Sequence, residues 1–185
     1  LPNMRVLCAS DAIITDWMIK EAIDNNGPMY IRLSREAVPD FHLPDSRFSI
    51  GKGMVVREGT DATIIACGIM VSRSLKAAEI LSESQINVRV VDMFTIKPLD
   101  KELVRRCAYE TGTIITVEEH STIGGLGSAV AEELACSDTT ASMEMIGIND
   151  CYTETGSFSG LLGKYGLDEV GIAKRVLSKI SPSRM

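Results

Sequence analysis

The chain has 185 residues, of which 45% are hydrophobic and 24% charged. That balance supports a buried core and excludes the low-hydrophobicity, high-charge composition of disordered chains. Nineteen basic residues against twenty-five acidic ones leave a net charge of -6, which opposes non-specific attraction to nucleic acid and to anionic membranes.

The first forty residues alternate element types. An apolar run from Met4 to Ala9 predicts a strand, the pattern from Asp11 to Asp24 a helix, and Met29 to Leu33 a second strand. Ser10 or Asp11 suits the helix N-cap because a side-chain oxygen there accepts from the first free N–H groups, and Asn25-Asn26-Gly27-Pro28 ends the helix. Ile14, Met18 and Ala22 share one side of it. Residues 38–51, with Pro39, His42, Pro44, Ser46 and Ser49, carry little periodic apolar signal and read as a linker in which His42 is solvent-exposed.

Beyond the linker, Lys52 to Arg57 is a short strand candidate, and three strand-to-helix repeats follow. Ala62 to Cys67 leads into a helix over 71–84. Val88 to Met93 leads into one beginning at Pro98 and ending near Gly112. Thr113 to Val117 leads into one that starts within Gly124-Gly125-Leu126-Gly127. Met143 to Ile148 predicts a further strand and Asp168 to Ile180 a last helix. Strands this uniformly apolar are covered on both faces, and the intervals suit crossover helices, so the fold class is α/β with a mostly parallel sheet. Residues 1–45 hold too few elements to shield their own sheet and are expected to be the truncated end of a preceding domain. The opening Leu-Pro-Asn hints in the same direction.

No apolar run reaches the roughly 20 residues of a membrane-spanning helix, and no signal-peptide pattern opens the chain, so a soluble protein is expected. The five cysteines, at 8, 67, 107, 136 and 151, form no CxxC pair, and there are only two histidines. Zinc and a disulfide framework are therefore disfavoured, and a reducing cytoplasm is the simplest location. Cys67 and Cys107 are expected to pack as small apolar residues.

Ligands of open parallel sheets sit beyond the carboxyl ends of strands, which directs attention to three segments. In Ser34-Arg35-Glu36, the Arg35 guanidinium could clamp a phosphate or carboxylate, or could simply pair with Glu36. In Glu118-Glu119-His120-Ser121, followed by Gly124, Gly125 and Gly127, two carboxylates beside an imidazole suit acid-base work. Adjacent residues of an extended segment point in opposite directions, however, so tight packing of a helix on the sheet or across a subunit boundary is the competing role. Val130 stands where the third glycine of GxGxxG would be, so there is no dinucleotide fingerprint. The polar loop with Asp150, Thr153, Thr155, Gly156 and Ser157 is explained by loop chemistry alone.

The segments LPNMRVL followed by SDA, MYIRLSRE, TIIACGIMVSRSLKAAEIL, VVDMFTIKPLD and TVEEHSTIGGLGSAVAEEL together resemble transketolase across nearly the whole chain, most closely the C-terminal subunit of split, two-chain transketolases. Deoxyxylulose phosphate synthase and the β subunits of oxoacid dehydrogenases share a looser version, but the first usually has a YPRG-like segment in place of LSRE. The resemblance implies the end of a pyrimidine-binding domain over 1–45, a linker over 46–51 and a transketolase C-terminal domain over 52–185. That domain would be a three-layer α/β/α unit with a five-stranded mixed sheet whose first strand, Lys52 to Arg57, is antiparallel. It further implies transfer of a two-carbon glycolaldehyde unit from a ketose phosphate to an aldose phosphate in the pentose phosphate pathway. Thiamine diphosphate and Mg2+ (or Ca2+) would serve the complete enzyme.

On the same resemblance Arg35 contacts substrate phosphate, while Glu118, Glu119, His120, Gly124, Gly125 and Gly127 serve subunit packing. The thiamine-activating glutamate lies outside this chain, so no cofactor is expected on it alone. The implied partners are an N-terminal transketolase subunit or domain and a second copy in a homodimer-type assembly, with no nucleic acid and no membrane. The family commonly has a proline at the position of Ala9 and an FG pair at that of Tyr152-Thr153. A non-catalytic α/β module for dimerisation or anion binding is the reading from a different class.

Overall fold

The computed structural model describes residues 1–180; the last five residues of the expected second domain lie outside that range. Strand β1 (Arg5–Cys8), helix α1 (Ala12–Asp24) and strand β2 (Met29–Arg32) come first, with β1 and β2 parallel. Asp11 caps α1 by accepting from the Ile14 N–H at 3.0 Å. The third strand of this sheet comes from far along the chain: β6 (Thr95–Lys97) lies antiparallel to β1, giving the order β2-β1-β6. Sequence reading does not foresee β6, because three residues with one apolar side chain carry no measurable period.

The second sheet has five strands in the order β3-β5-β4-β7-β8, formed by β3 (Met54–Arg57), β4 (Ala62–Ala66), β5 (Val88–Asp92), β7 (Thr113–Ser121) and β8 (Ser142–Ile148). β3 is antiparallel to β5 and every other pair is parallel, as expected. All five residues of the central β4 are buried, which explains the unbroken apolar run Ala-Thr-Ile-Ile-Ala: both of its faces are covered. Helices α2 (Met70–Glu83) and α6 (Glu169–Ile180) pack in one core with Ile64, Val88, Val90 and Ile115. Helices α3 (Lys101–Thr111) and α4 (Leu126–Ala135) cover the opposite face with Ile65, Val91 and Ile114. The result is three layers, α/β/α.

Several boundaries differ from expectation for local reasons. Helix α3 starts at Lys101, three residues after Pro98, because Asp100 is its N-cap and accepts from Leu103 N–H at 3.1 Å. It ends at Gly112, which takes φ 65. An additional helix α5 (Phe158–Tyr165) is capped by Ser157, so one residue of the polar loop has a structural task. Among the described residues no helix is long and apolar enough to cross a membrane.

A third core joins the two sheets. Leu7, Ile14, Met18 and Phe94 are buried together, with Trp17 and Phe48 packed against them. Phe94 precedes β6 and makes edge contacts with Trp17 at 5.7 Å and Phe48 at 5.6 Å. The linker therefore does not run free over the surface: it supplies Phe48 to this core.

His42 corrects the expectation of exposure. It is 5% exposed, and its Nδ1 lies 2.9 Å from Asp11 Oδ2, an oxygen that also accepts the His42 N–H at 2.9 Å and the Phe41 N–H at 3.2 Å. Its Nε2 lies 3.5 Å from Asp92 Oδ2 at the end of β5. A short hydrogen bond from Ser10 Oγ reaches the same Asp92 oxygen. The cluster fastens the linker to both sheets, and a sequence pattern has no means to signal three side chains that meet only after folding.

Candidate functional site

The carboxyl ends of β1, β2, β4 and β7 converge on one cavity of about 140 Å3. Cys8 and Ala9 line it from β1, Arg32, Leu33 and Ser34 from β2, Cys67 and Gly68 from β4, and Glu118, Glu119 and His120 from β7, with Gly124 and Gly125 at the entry to α4. Of the residues singled out in the sequence, those of the Glu118 segment are brought to this cavity. Arg35 is not among its lining residues.

Glu118 is 2% exposed. Its Oε2 accepts from Leu126 N–H and its Oε1 from Gly127 N–H, both at 2.8 Å. The carboxylate thus satisfies two of the four free donors at the start of α4 and complements the positive end of the helix dipole. Gly125 makes room for it: a Cβ there would stand 1.9 Å from Glu118 Oε2. Gly127 is required from the other side, since its Cβ would meet Met145 Sδ and Thr116 Oγ1 at 2.9 Å. These residues form a closed structural unit, in which the Glu118 oxygens are already engaged.

Glu119 and His120 divide as neighbours on an extended segment do. Glu119 is half-buried, and burial raises its carboxyl pKa against the opposing influence of the Arg32 charge. The Arg32 guanidinium donates to the Glu119 carbonyl at 2.7 Å, linking β2 of the first sheet to β7 of the second. His120 is exposed, with Nδ1 3.0 Å from the Ser121 carbonyl. The acid-base arrangement weighed from the sequence is not assembled: one carboxylate caps a helix and the imidazole faces outward.

Arg35 lies in the bend after β2, exposed, and among the described residues no hydrogen bond or ion pair holds its guanidinium. The surface pair with Glu36 is not formed; Glu36 N–H donates instead to Ser34 Oγ at 3.1 Å. Asp150, Thr153, Thr155 and Gly156 are exposed. Sequence reasoning missed Arg32 and the two thiols of Cys8 and Cys67 at the cavity. All three close or follow an apolar strand, so the strand-end rule applied to Arg35 would also have found them.

The residues present do not fit a thiamine diphosphate site. Among those described there is no group of three or more His, Cys, Asp or Glu side chains that could hold a metal ion. The cavity, at about 140 Å3, is also smaller than the roughly 300 Å3 at which sites for ligands of that size begin.

Comparison with known proteins agrees with this architecture. The profile of the family described as transketolase, C-terminal domain, matches residues 51–172. A putative transketolase C-terminal section of Methanocaldococcus jannaschii is 39% identical over 97% of this chain and 57% of that protein. One subunit of the apulose-4-phosphate transketolase of Phocaeicola vulgatus is 42% identical over 95% of this chain and 56% of that protein. A 1-deoxy-D-xylulose-5-phosphate synthase of Syntrophotalea carbinolica is 39% identical over 95% of this chain but only 28% of its own length. Among solved structures, a split gene transketolase described as an inactive beta4 tetramer superposes with a TM-score of 0.93 at 44% identity, covering 98% of this chain and 59% of that one. The chain spans little more than half the length of the split-type relatives it matches.

Proposed function

The chain belongs to the transketolase C-terminal domain family, and from that premise we propose that it is the C-terminal part of a two-chain transketolase. In this reading residues 1–45 end a pyrimidine-binding domain, 46–51 link, and 52–185 form the C-terminal domain. The complete assembly transfers a two-carbon unit from a ketose phosphate to an aldose phosphate, in the cytoplasm, with thiamine diphosphate and Mg2+ held by residues outside this chain. The observation that carries the proposal is the match, over nearly the whole chain, to a transketolase C-terminal section and to a transketolase subunit, of which it covers 57% and 56%.

Two structural features support it. β2 is an edge strand, and Tyr30 and Leu33 at that edge are each 53% exposed, while Ile23 on α1 is 77% exposed. Unpaired edges and apolar faces of this kind are normally covered, here by the remainder of the pyrimidine domain and by a second copy of the subunit. Arg35, free of any partner among the described residues, serves as the cation for the distal substrate phosphate, where two parallel N–H bonds fix the sugar without touching the reacting carbon.

The test is reconstitution. The complete subunit containing this chain, mixed with an N-terminal subunit, thiamine diphosphate and Mg2+, is expected to exchange two-carbon units between sugar phosphates. Formation of deoxyxylulose phosphate from pyruvate and glyceraldehyde phosphate in place of that exchange would select the synthase reading, which the 39% identity to a synthase keeps as the second one. No turnover of either kind would defeat both.

A further inference from the structure

Cys8 ends β1 and Cys67 directly follows β4, two strands that belong to different sheets. Both are free, both are buried, at 7% and 8% exposure, and both line the cavity. The backbone brings them together through Gly68, which takes φ +60: a Cβ on it would stand 2.8 Å from Cys8 Sγ. The Cys8 sulfur thus lies against the residue that follows Cys67, and both side chains face the same cavity. No other pair of cysteines shares these properties among the described residues: Cys107 is buried beside Arg89, with Sγ 3.7 Å from the guanidinium, and Cys136 and Cys151 are exposed.

We propose that Cys8 and Cys67 are a redox pair that closes to a disulfide by exchange with a small disulfide of the glutathione type, stapling the first sheet to the second at the floor of the cavity. One cysteine, as thiolate, attacks a sulfur of the small disulfide, and that S–S bond breaks to release one small thiolate. The second cysteine then attacks the protein-side sulfur of the mixed disulfide and releases the other. The two cysteine protons end on the two released thiols. The protein loses two protons and two electrons, and the small disulfide gains them. Both thiols line the cavity, and the neighbouring thiol serves as the resolving partner that a lone buried cysteine lacks.

Contact with Cys8, together with burial, holds the Cys67 thiol well above its ordinary pKa. Exchange is therefore slow near neutrality and accelerates as pH rises and thiolate forms. Oxidation is expected to shift Tm upward, because the bond constrains the unfolded chain between two positions far apart in sequence.

The complete subunit containing this chain, reduced and purified, is to be incubated with oxidised glutathione at mildly alkaline pH, quenched with acid, alkylated, and mapped by mass spectrometry without reduction. The expected result is a peptide pair joined through Cys8 and Cys67, abolished by dithiothreitol and formed faster at higher pH. In Cys8→Ser, Cys67 is expected to stop at the glutathione adduct. Alkylated Cys8 and Cys67 in the wild-type chain, with oxidation confined to Cys136 and Cys151, would overturn the proposal. So would separate glutathione adducts on Cys8 and Cys67 with no joined peptide. The wild-type map decides alone if the variant fails to fold.

Discussion

Glu118 and Gly125 occupy one space: the carboxylate oxygen that caps α4 lies 1.9 Å from the place where a Cβ on residue 125 would be. Gly125→Ala is expected to expel the carboxylate from two N–H groups and to cost about 2–3 kcal/mol, the penalty of leaving buried polar groups unmade. Glu118→Gln keeps one acceptor oxygen and is expected to cost about half as much. Urea denaturation of both variants checks the order, and a Gly125→Ala chain as stable as wild type would show that the cap is dispensable.

The Asp11, His42 and Asp92 cluster makes stability depend on pH in a defined sense. Burial raises the Asp92 pKa well above the ordinary carboxylate range, with Ser10 opposing and the Asp11 charge adding to the rise. A raised carboxyl means that the unfolded chain releases its proton first, so stability falls as pH climbs from the unfolded value towards the folded one. Asp92→Asn is expected to flatten that decline and to be at least as stable as wild type at pH 7. Its amide can still accept from Ser10, and it adds a donor for His42 Nε2, which makes no hydrogen bond. Chemical denaturation between pH 5 and pH 8, run on both proteins, reads the difference in slope.

Asp11 runs the other way. Burial pushes its carboxyl up, but N–H bonds from Ile14, His42 and Phe41 outweigh it and leave the pKa lowered. Its contribution is full above the unfolded carboxylate pKa and is lost as pH falls through the lower, folded value. Asp11→Ala removes the cap of α1 and the anchor of the linker together. A loss of about 2–4 kcal/mol is expected at pH 7, shrinking in acid, and measurable as a Tm difference that narrows towards low pH.

How much of this is legible in the sequence depends on whether a signal is local. The buried run of β4 and the Asp11 cap are visible because burial on both faces and capping each leave a mark within a few residues. The antiparallel start of the five-stranded sheet at Lys52 to Arg57 comes from family resemblance, and the pairing of β3 with β5 agrees. Gly125 and Gly127 stand out as glycines, but their reason, a carboxylate and a methionine sulfur from neighbouring strands, is tertiary. β6 and the His42 cluster are invisible because each depends on partners more than thirty residues away that no spacing rule connects.

Arg35 offers the most direct check on the catalytic reading. In the reconstituted enzyme, Arg35→Ala is expected to raise KM for phosphorylated sugars by about 10- to 100-fold, the equivalent of a lost charge-assisted pair at about 1.5–3 kcal/mol. kcat is expected to change less, and an unphosphorylated acceptor such as glycolaldehyde to be used equally well by both proteins. Equal losses on both kinds of substrate would assign Arg35 a structural role instead. Because its side chain is exposed and unpartnered among the described residues, the stability of the variant is expected to stay within about 0.5 kcal/mol of wild type.

Phe94 is where the two sheets depend on each other mechanically. Its ring is 1% exposed and touches Trp17 from α1 and Phe48 from the linker, while its carbonyl accepts the Cys8 N–H at 2.9 Å. Phe94→Ala therefore opens a cavity where three segments meet and is expected to cost about 3–5 kcal/mol. Phe94→Leu, which keeps most of the volume, is expected to cost about 1–2 kcal/mol. The two losses are distinguished from a general weakening by hydrogen exchange. β1 and β6 are expected to lose protection before β4 and β7, since the five-stranded core has its own two covered faces and does not draw on this ring. Uniform loss of protection in both sheets would mean instead that they unfold as a single unit and that the aromatic joint is as deep as the core itself.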